Sequence, residues 1–398
     1  MSAKHSRLPP VMLDEGLRLL FPVAAIHGAL WPLLWTLFYG FGLPLEGAIP
    51  ASQWHAHEMI FGTYGMALAG FLTTAVPEWT DTARRRGQDL LLLVWLWLPG
   101  RLAGLVGADA LSGIAGLTDS AFLLILAWFI GRPMLDKRST RHASFVFWCL
   151  AFAGTEIGIR LAWLGGDMML AGRLINAALA VFLIFFSLSV ARINVVVINK
   201  ALDPSGETSP YRPHPGRQNL AAGLVALYLA GTLALPDSLA PAFLALAAGA
   251  AFFDRLAEWF IGRAVLRAEV LGLLSANLLA GVGFFVIGLA GLGAPFAPST
   301  GQHLLSIGAL GLAVMSVYAI AGLLHTGREL DLPRQAHWAL WLMLAAALTR
   351  SLPELGIGEG LIGPHYGLSA VLWAAAFGAW LHGYLPLLRA PSMGTGDG

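Results

Sequence analysis

The chain has 398 residues, of which 57% are hydrophobic and only 12% charged, about half the charged fraction of a soluble domain. That excludes an ordinary water-soluble globule and makes lipid the natural solvent. The 24 basic and 23 acidic residues exclude a generally basic nucleic-acid binder, and the single cysteine, Cys149, excludes a disulfide framework or a Cys-cluster metal site.

Residues 1–16 are polar and are expected to form a cytoplasmic N-terminal segment. They lack the charged start, apolar core and small-residue cleavage site of a signal peptide, so the first apolar run is expected to remain as a membrane anchor. A helix needs about 20 apolar residues to cross a bilayer. Twelve stretches qualify, at roughly 17–42, 54–78, 89–107, 112–134, 142–165, 172–198, 219–235, 239–262, 267–293, 302–325, 334–354 and 364–388. Their continuous apolar character, rich in Gly and Ala, argues against a β-barrel and for closely packed helices. The expected fold is all-α: a polytopic membrane bundle of about twelve transmembrane helices over 17–388, with a cytoplasmic tail at 389–398. The loop Asn199 to Asn219 divides it six and six, and no internal repeat is evident from the residues alone.

Basic residues gather at the termini and the even-numbered connections: Lys4, Arg7, Arg84 to Arg86, Arg132, Lys137, Arg138, Arg141, Lys200, Arg212, Arg217, Arg263, Arg267, Arg328, Arg334 and Arg389. The opposite loops carry Glu46, Asp109, Asp167, Asp237, Glu354 and Glu359. The positive-inside rule places both termini in the cytoplasm. With no sizeable soluble domain on either side, function is expected among the helices.

Charges inside spans are functional-site candidates by default. Glu58, Arg101, Asp119, Glu156, Arg160, Arg192, Asp254, Glu258 and Arg350 fall within or near span limits. Glu156 and Arg160 are four apart and share a helix face. The bland alternative for them is a structural ion pair; the sharper one is a proton or substrate path.

The histidines say more. The second span opens Trp54-His55-Ala56-His57-Glu58-Met59. In a regular helix His55 and His57 point about 200° apart, whereas an unwound first turn lets both reach one metal. His303 opens the tenth span and His325 closes it, about 33 Å away along a helix, too far to share an ion. His55, His57 and His303 are expected at the outer face and His325 at the inner; His27 lies within the first span and His365 begins the twelfth. A lone histidine at a helix end is usually an interfacial residue. A His-X-His-Glu joined by a histidine from another span suits imidazole-bound iron or copper.

The stretch His55-Ala-His57-Glu58-Met-Ile-Phe-Gly, leading into Ala69-Gly-Phe-Leu-Thr-Thr-Ala-Val-Pro-Glu78-Trp79-Thr80, resembles the signature of the NnrS family. So does His303-Leu-Leu-Ser-Ile-Gly308-Ala309 through Val314-Met315-Ser316 to His325-Thr-Gly-Arg328, with Phe21-Pro22 and Tyr384-Leu385-Pro386 near the two ends. Two departures stand out. Arg192 alone remains of the pattern that commonly ends the family's sixth span, and the ninth span lacks the family's histidine.

The resemblance implies a bacterial inner-membrane protein containing haem and copper that serves the response to nitric oxide. It implies one or two haem b groups, copper as the candidate second metal, nitric oxide as ligand and an electron donor of unknown identity. On that reading His57 and His303 are axial or metal ligands at the outer site, and His55 assists a second metal. Glu58, the catalytic candidate, either supports a metal ligand from behind or donates protons. His27 is added to the cofactor-binding set, and His325 with Arg328 serves an inner haem, since Arg pairs bidentately with carboxylates. The rivals are a non-enzymatic nitric oxide-binding or sensing metalloprotein and a secondary transporter. A haem–copper oxidase is rejected, because the sequence has no His-Pro-Glu motif and no adjacent histidine pair.

Overall fold

The computed structural model describes residues 10–41, 49–106 and 112–393. Lys4, Arg7, Glu46 and Asp109 of the charge analysis, and the tail beyond Met393, lie outside them. The described residues form twelve helical runs: α1 Gly16–Phe41, α2 Ala51–Thr80, α3 Gln88–Val106, α4 Ser112–Asp136, α5 Ala143–Leu164, α6 Met168–Leu202, α7 Pro215–Ala234, α8 Ala240–Arg255, α9 Ala268–Gly291, α10 Pro298–Leu324, α11 Arg334–Ser351 and α12 Pro364–Arg389. Each answers to one of the twelve expected spans. Nine are long and apolar enough to cross a bilayer; α3, α7 and α11 are shorter or more polar. The chain is therefore a multi-pass membrane protein. Its surface is inverted relative to a soluble fold: Trp95 is 66% and Phe260 83% exposed, whereas Glu58 and Glu156 are wholly buried.

Two compact units can be distinguished. The first comprises the described parts of Met1–Ala178, Ala321–Glu329 and Leu381–Gly398; the second, Leu179–Ile320 and Leu330–Trp380. Small residues set the packing distances in the second unit. A Cβ at Gly281 would come within 2.6 Å of the Phe253 ring, so glycine there lets α8 and α9 approach closely.

Both α2 and α10 leave the α-helical register midway. Glu58–Tyr64 and Leu304–Gly311 run as π-helix, each beginning one residue after a histidine. The likeness goes further. His57 and His303, Gly62 and Gly308, Gly65 and Gly311, and Thr80 and Thr326 are pairs at one constant offset in sequence. Thr80 and Thr326 each donate a side-chain hydrogen bond to the carbonyl four residues earlier, at 2.8 and 2.7 Å. The next residues, Asp81 and Gly327, both take the left-handed conformation. The following helices, α3 and α11, begin at that same offset. An internal repeat not evident in the residues is thus present in the backbone.

Candidate functional site

In the first unit, Pro50 precedes α2 in extended conformation and the chain turns directly into helix. Gln53 anchors this start by donating to the Met168 carbonyl at 2.7 Å and accepting from the Trp163 indole at 2.8 Å. Because the first turn is helical, His55 and His57 diverge. His55 stacks on Trp35, with ring centroids 4.7 Å apart. His57 is wholly buried between Trp54 and Trp163. The arrangement in which both serve one metal needs an unwound turn, and the turn is not unwound.

Beyond His57 the π register widens the helix and turns carbonyls away from their usual partners. Trp97 on α3 takes one of them, donating its indole N–H to Gly62 O at 3.0 Å. Gly62 also makes room for His27 of α1. A Cβ there would lie 2.5 Å from His27 Cε1 and 3.3 Å from a Glu58 carboxylate oxygen. His27 hydrogen-bonds Thr63 at 2.9 Å, stacks on Trp31 and meets the edge of Trp97.

These side chains close into a ring. His57 Nε2 lies 2.7 Å from Glu156 and its Nδ1 3.3 Å from Glu58. Glu58 Oε2 pairs with Arg101 Nε at 2.7 Å and faces His27 Nε2 at 3.4 Å. Arg101 and Arg160 both reach Asp119 Oδ2 at 2.7 Å, and Arg160 returns to Glu156 at 2.8 Å. The i, i+4 pair expected on α5 is therefore one edge of a larger circuit. Trp54, Trp97 and Trp163 lie 5.4 to 5.5 Å from the two guanidinium groups, within cation–π range. Three carboxylates oppose two guanidinium groups, so a single proton on the circuit makes it neutral. Such a network persists in an apolar interior only while every member is paired.

Among the described residues, two groups bring three metal-capable ligand atoms within 4.8 Å of one another: His57 with Asp119 and Glu156, and Glu15 with Glu78 and His325. In the first, Arg160 and Arg101 already occupy the carboxylate edges where a cation would bind, so an ion-pair network describes it better. The second lies at the far end of α2. His325 Nδ1 is 2.8 Å from Glu15 and 3.5 Å from Glu78. Its competitor is Arg84, a half-exposed side chain 3.3 Å from each carboxylate. Arg18 donates to the carbonyls of Leu388, Ala390 and His325 at this end. Nearby Arg328 has a buried Nη1 that makes no hydrogen bond.

The second unit holds the other predicted ligand. His303 donates Nδ1–H to the Ser299 carbonyl at 2.7 Å. That bond fixes the tautomer and leaves the Nε2 lone pair as the ligating atom, the arrangement typical of metal-bound imidazole. Arg350, Glu354 and His365 are within electrostatic reach. Glu354 accepts from Thr300 at 2.7 Å and Arg350 at 2.6 Å, and His365 Nε2 faces it at 3.4 Å. Burial pushes the Glu354 carboxyl up, but the Thr300 hydrogen bond and the Arg350 charge outweigh it and hold the group below the usual carboxylate range.

Of the predicted residues, His27, His57 and Glu58 are brought together. His55 stacks on Trp35; His325 and Arg328 lie at the opposite end of the first unit's α2; His303 belongs to the second unit. Arg101 and Asp119 stood out in the sequence only as charges within apolar runs. Their partnership with Glu58 and Arg160 spans four helices, so no local spacing announces it.

Over residues 11–392 the chain matches the family model described as NnrS protein. Comparison with curated proteins finds none that matches.

Proposed function

The chain belongs to the NnrS family, whose members are membrane proteins of the nitric oxide response, and from that premise we propose that it binds nitric oxide at a histidine-held metal and reduces or otherwise detoxifies it. The observation that carries the reading is His303, an imidazole with one nitrogen tied to the backbone and the other left to ligate.

The donor set suits haem iron or copper, which take neutral imidazole nitrogen. His303 Nε2 offers such a nitrogen. His325, with Glu15, Glu78 and the unpaired Arg328 Nη1, offers a second place for a metal or an anionic prosthetic group. His57 is engaged by carboxylates through both nitrogens, so in this arrangement its part is proton-holding rather than ligation. A reduced metal there would supply an open coordination position and electrons to nitric oxide. The protein's own share is to exclude water and to hold a proton: the circuit of His27, His57, Glu58 and Glu156 keeps acids and imidazoles within hydrogen-bond range in a dry interior. Converting two nitric oxide molecules to nitrous oxide and water consumes two protons and two electrons, and within the circuit this reading makes Glu58, beside His57, the proton-relaying carboxylate.

The test is a dithionite-reduced minus oxidised absorption spectrum of the detergent-purified protein, with and without nitric oxide. Haem bands that shift with nitric oxide, and that His303→Ala or His325→Ala abolishes, support the reading. Bands without turnover in the presence of a reductant favour a nitric oxide-binding protein that is not an enzyme. A flat spectrum with no metal by elemental analysis favours transport.

A further inference from the structure

A second set of buried charges, in the second unit, takes no part in this reading. Arg255 ends α8 and is wholly buried, as are Ser187 and Asn194 on α6. Arg255 Nη1 donates to the carbonyl and hydroxyl oxygens of Ser187 at 3.1 and 3.3 Å. The other edge of the guanidinium, Nε and Nη2, makes no hydrogen bond. Glu258 Oε2 stands 3.7 Å from Nε, close enough to pair charges but too far to bond. Around this edge lie two more buried atoms that make no hydrogen bond, Glu258 Oε1 and Asn194 Oδ1, and the buried Tyr211 hydroxyl, which faces the Glu258 carboxylate. Asn194 reaches only the other Glu258 oxygen, at 3.4 Å.

Tyr211 comes from outside the spans. Its backbone N–H donates to Asn199 at 2.8 Å, and it is the one buried residue between 203 and 214. Burial first, then the neighbouring Glu258 charge and a hydrogen bond to that carboxylate, push its phenol well up, so the group stays protonated and can donate.

Buried polar atoms without partners are costly, and four from three residues at one place ask for something to bond. Nε–H and Nη2–H point the same way and match two coplanar oxygens 2.7–2.9 Å away in the usual bidentate pairing. Tyr211 adds a third donor. Glu258 Oε1 and Asn194 Oδ1 add acceptors, which suit a ligand that also carries a hydroxyl. A metal ion is excluded by the guanidinium at the centre.

We propose that Arg255, with Glu258, Asn194 and Tyr211, binds a small planar oxyanion of carboxylate type, either free or carried on a bound organic group. The site is independent of the nitric oxide reading and stands or falls separately from it.

The full chain in mild detergent is titrated with 13C-formate. Saturable change in the formate infrared bands, together with a rise in the unfolding midpoint, is the expected result for a free oxyanion. Arg255→Lys keeps the charge but loses the fork, and should weaken binding at least tenfold. Tyr211→Phe, which leaves the guanidinium in place, should weaken it several-fold. If a carboxylate-bearing organic group fills the site, formate does not bind. Acid extraction of the wild-type protein then yields that compound, and extraction of Arg255→Lys does not. Water alone in the site, with neither saturable formate binding nor an Arg255-dependent extractable carboxylate, overturns the proposal.

Discussion

The two π-helical segments make a natural pair. Each follows a histidine, each keeps glycines at matching positions, and at the C-terminal end of each helix, in its last turn or just past it, stands a threonine followed by a left-handed residue. Yet around His57 the protein has assembled a closed circuit of acids and guanidinium groups, with both imidazole nitrogens engaged. Around His303 one nitrogen is tied to the backbone and the charges stand at the helix ends. One backbone device thus carries two chemistries. What differs is the number of charged partners drawn from neighbouring helices, and with it the capacity to store a proton or to accept a ligand.

The strongest way to break the comparison is to open the circuit. Arg101→Met leaves Glu58 and Asp119 short of a buried partner and should cost about 3–5 kcal/mol, seen as a lowered unfolding temperature in detergent or as loss of accumulated protein. Arg350 is buried too, but its partner Glu354 is partly exposed and keeps Thr300 and His365 beside it, so Arg350→Met should cost less, about 1–3 kcal/mol. Equal losses would mean that the two regions are electrostatically alike.

A smaller effect is expected from Gly62→Ala. The added methyl group meets His27, and overpacking of this kind costs about 1–3 kcal/mol. Gly308→Ala meets the flexible Leu279 side chain instead, so it should be milder; calorimetry of both variants decides. The histidines themselves should differ in the same sense. His57→Ala strands Glu156 and costs stability, about 1–3 kcal/mol for a buried group left unpaired. His303→Ala should cost less and be read in the metal content.

The smallest effect concerns acid. Glu354 is held below its unfolded value, so its pairing stabilises the fold above the ordinary carboxylate range, near pH 4.3, and this contribution is lost as pH falls through the depressed folded value. Glu354→Gln should flatten the acid limb of the stability profile. An unchanged limb would show that the pair contributes nothing there.

The twelve helices were legible because a bilayer demands long apolar runs and tolerates few substitutes. Glu156 and Arg160 were legible as a pair because helical spacing alone brings them together. The rest of the circuit was not. His57 and Glu156, or Arg160 and Asp119, meet only once α2, α4 and α5 have packed. The π register was hidden for a related reason: a run such as Glu58-Met-Ile-Phe-Gly-Thr-Tyr64 is compatible with either helix, and Trp97 on another element takes one of its carbonyls. The repeat was obscured because Leu, Ala and Val replace one another freely in lipid, leaving a few His, Gly and Thr positions to mark it. Tyr211, in a polar connection, carried no signal at all.

The surplus residue in each π segment has a mechanical consequence. A residue inserted in this way rotates the face presented beyond it by about 100° relative to an unbroken helix, with no break in the rod. In α2 the offset falls between His57 and Gly65, so one continuous rod addresses one set of neighbours before the segment and another after it, as a twisted key meets two wards.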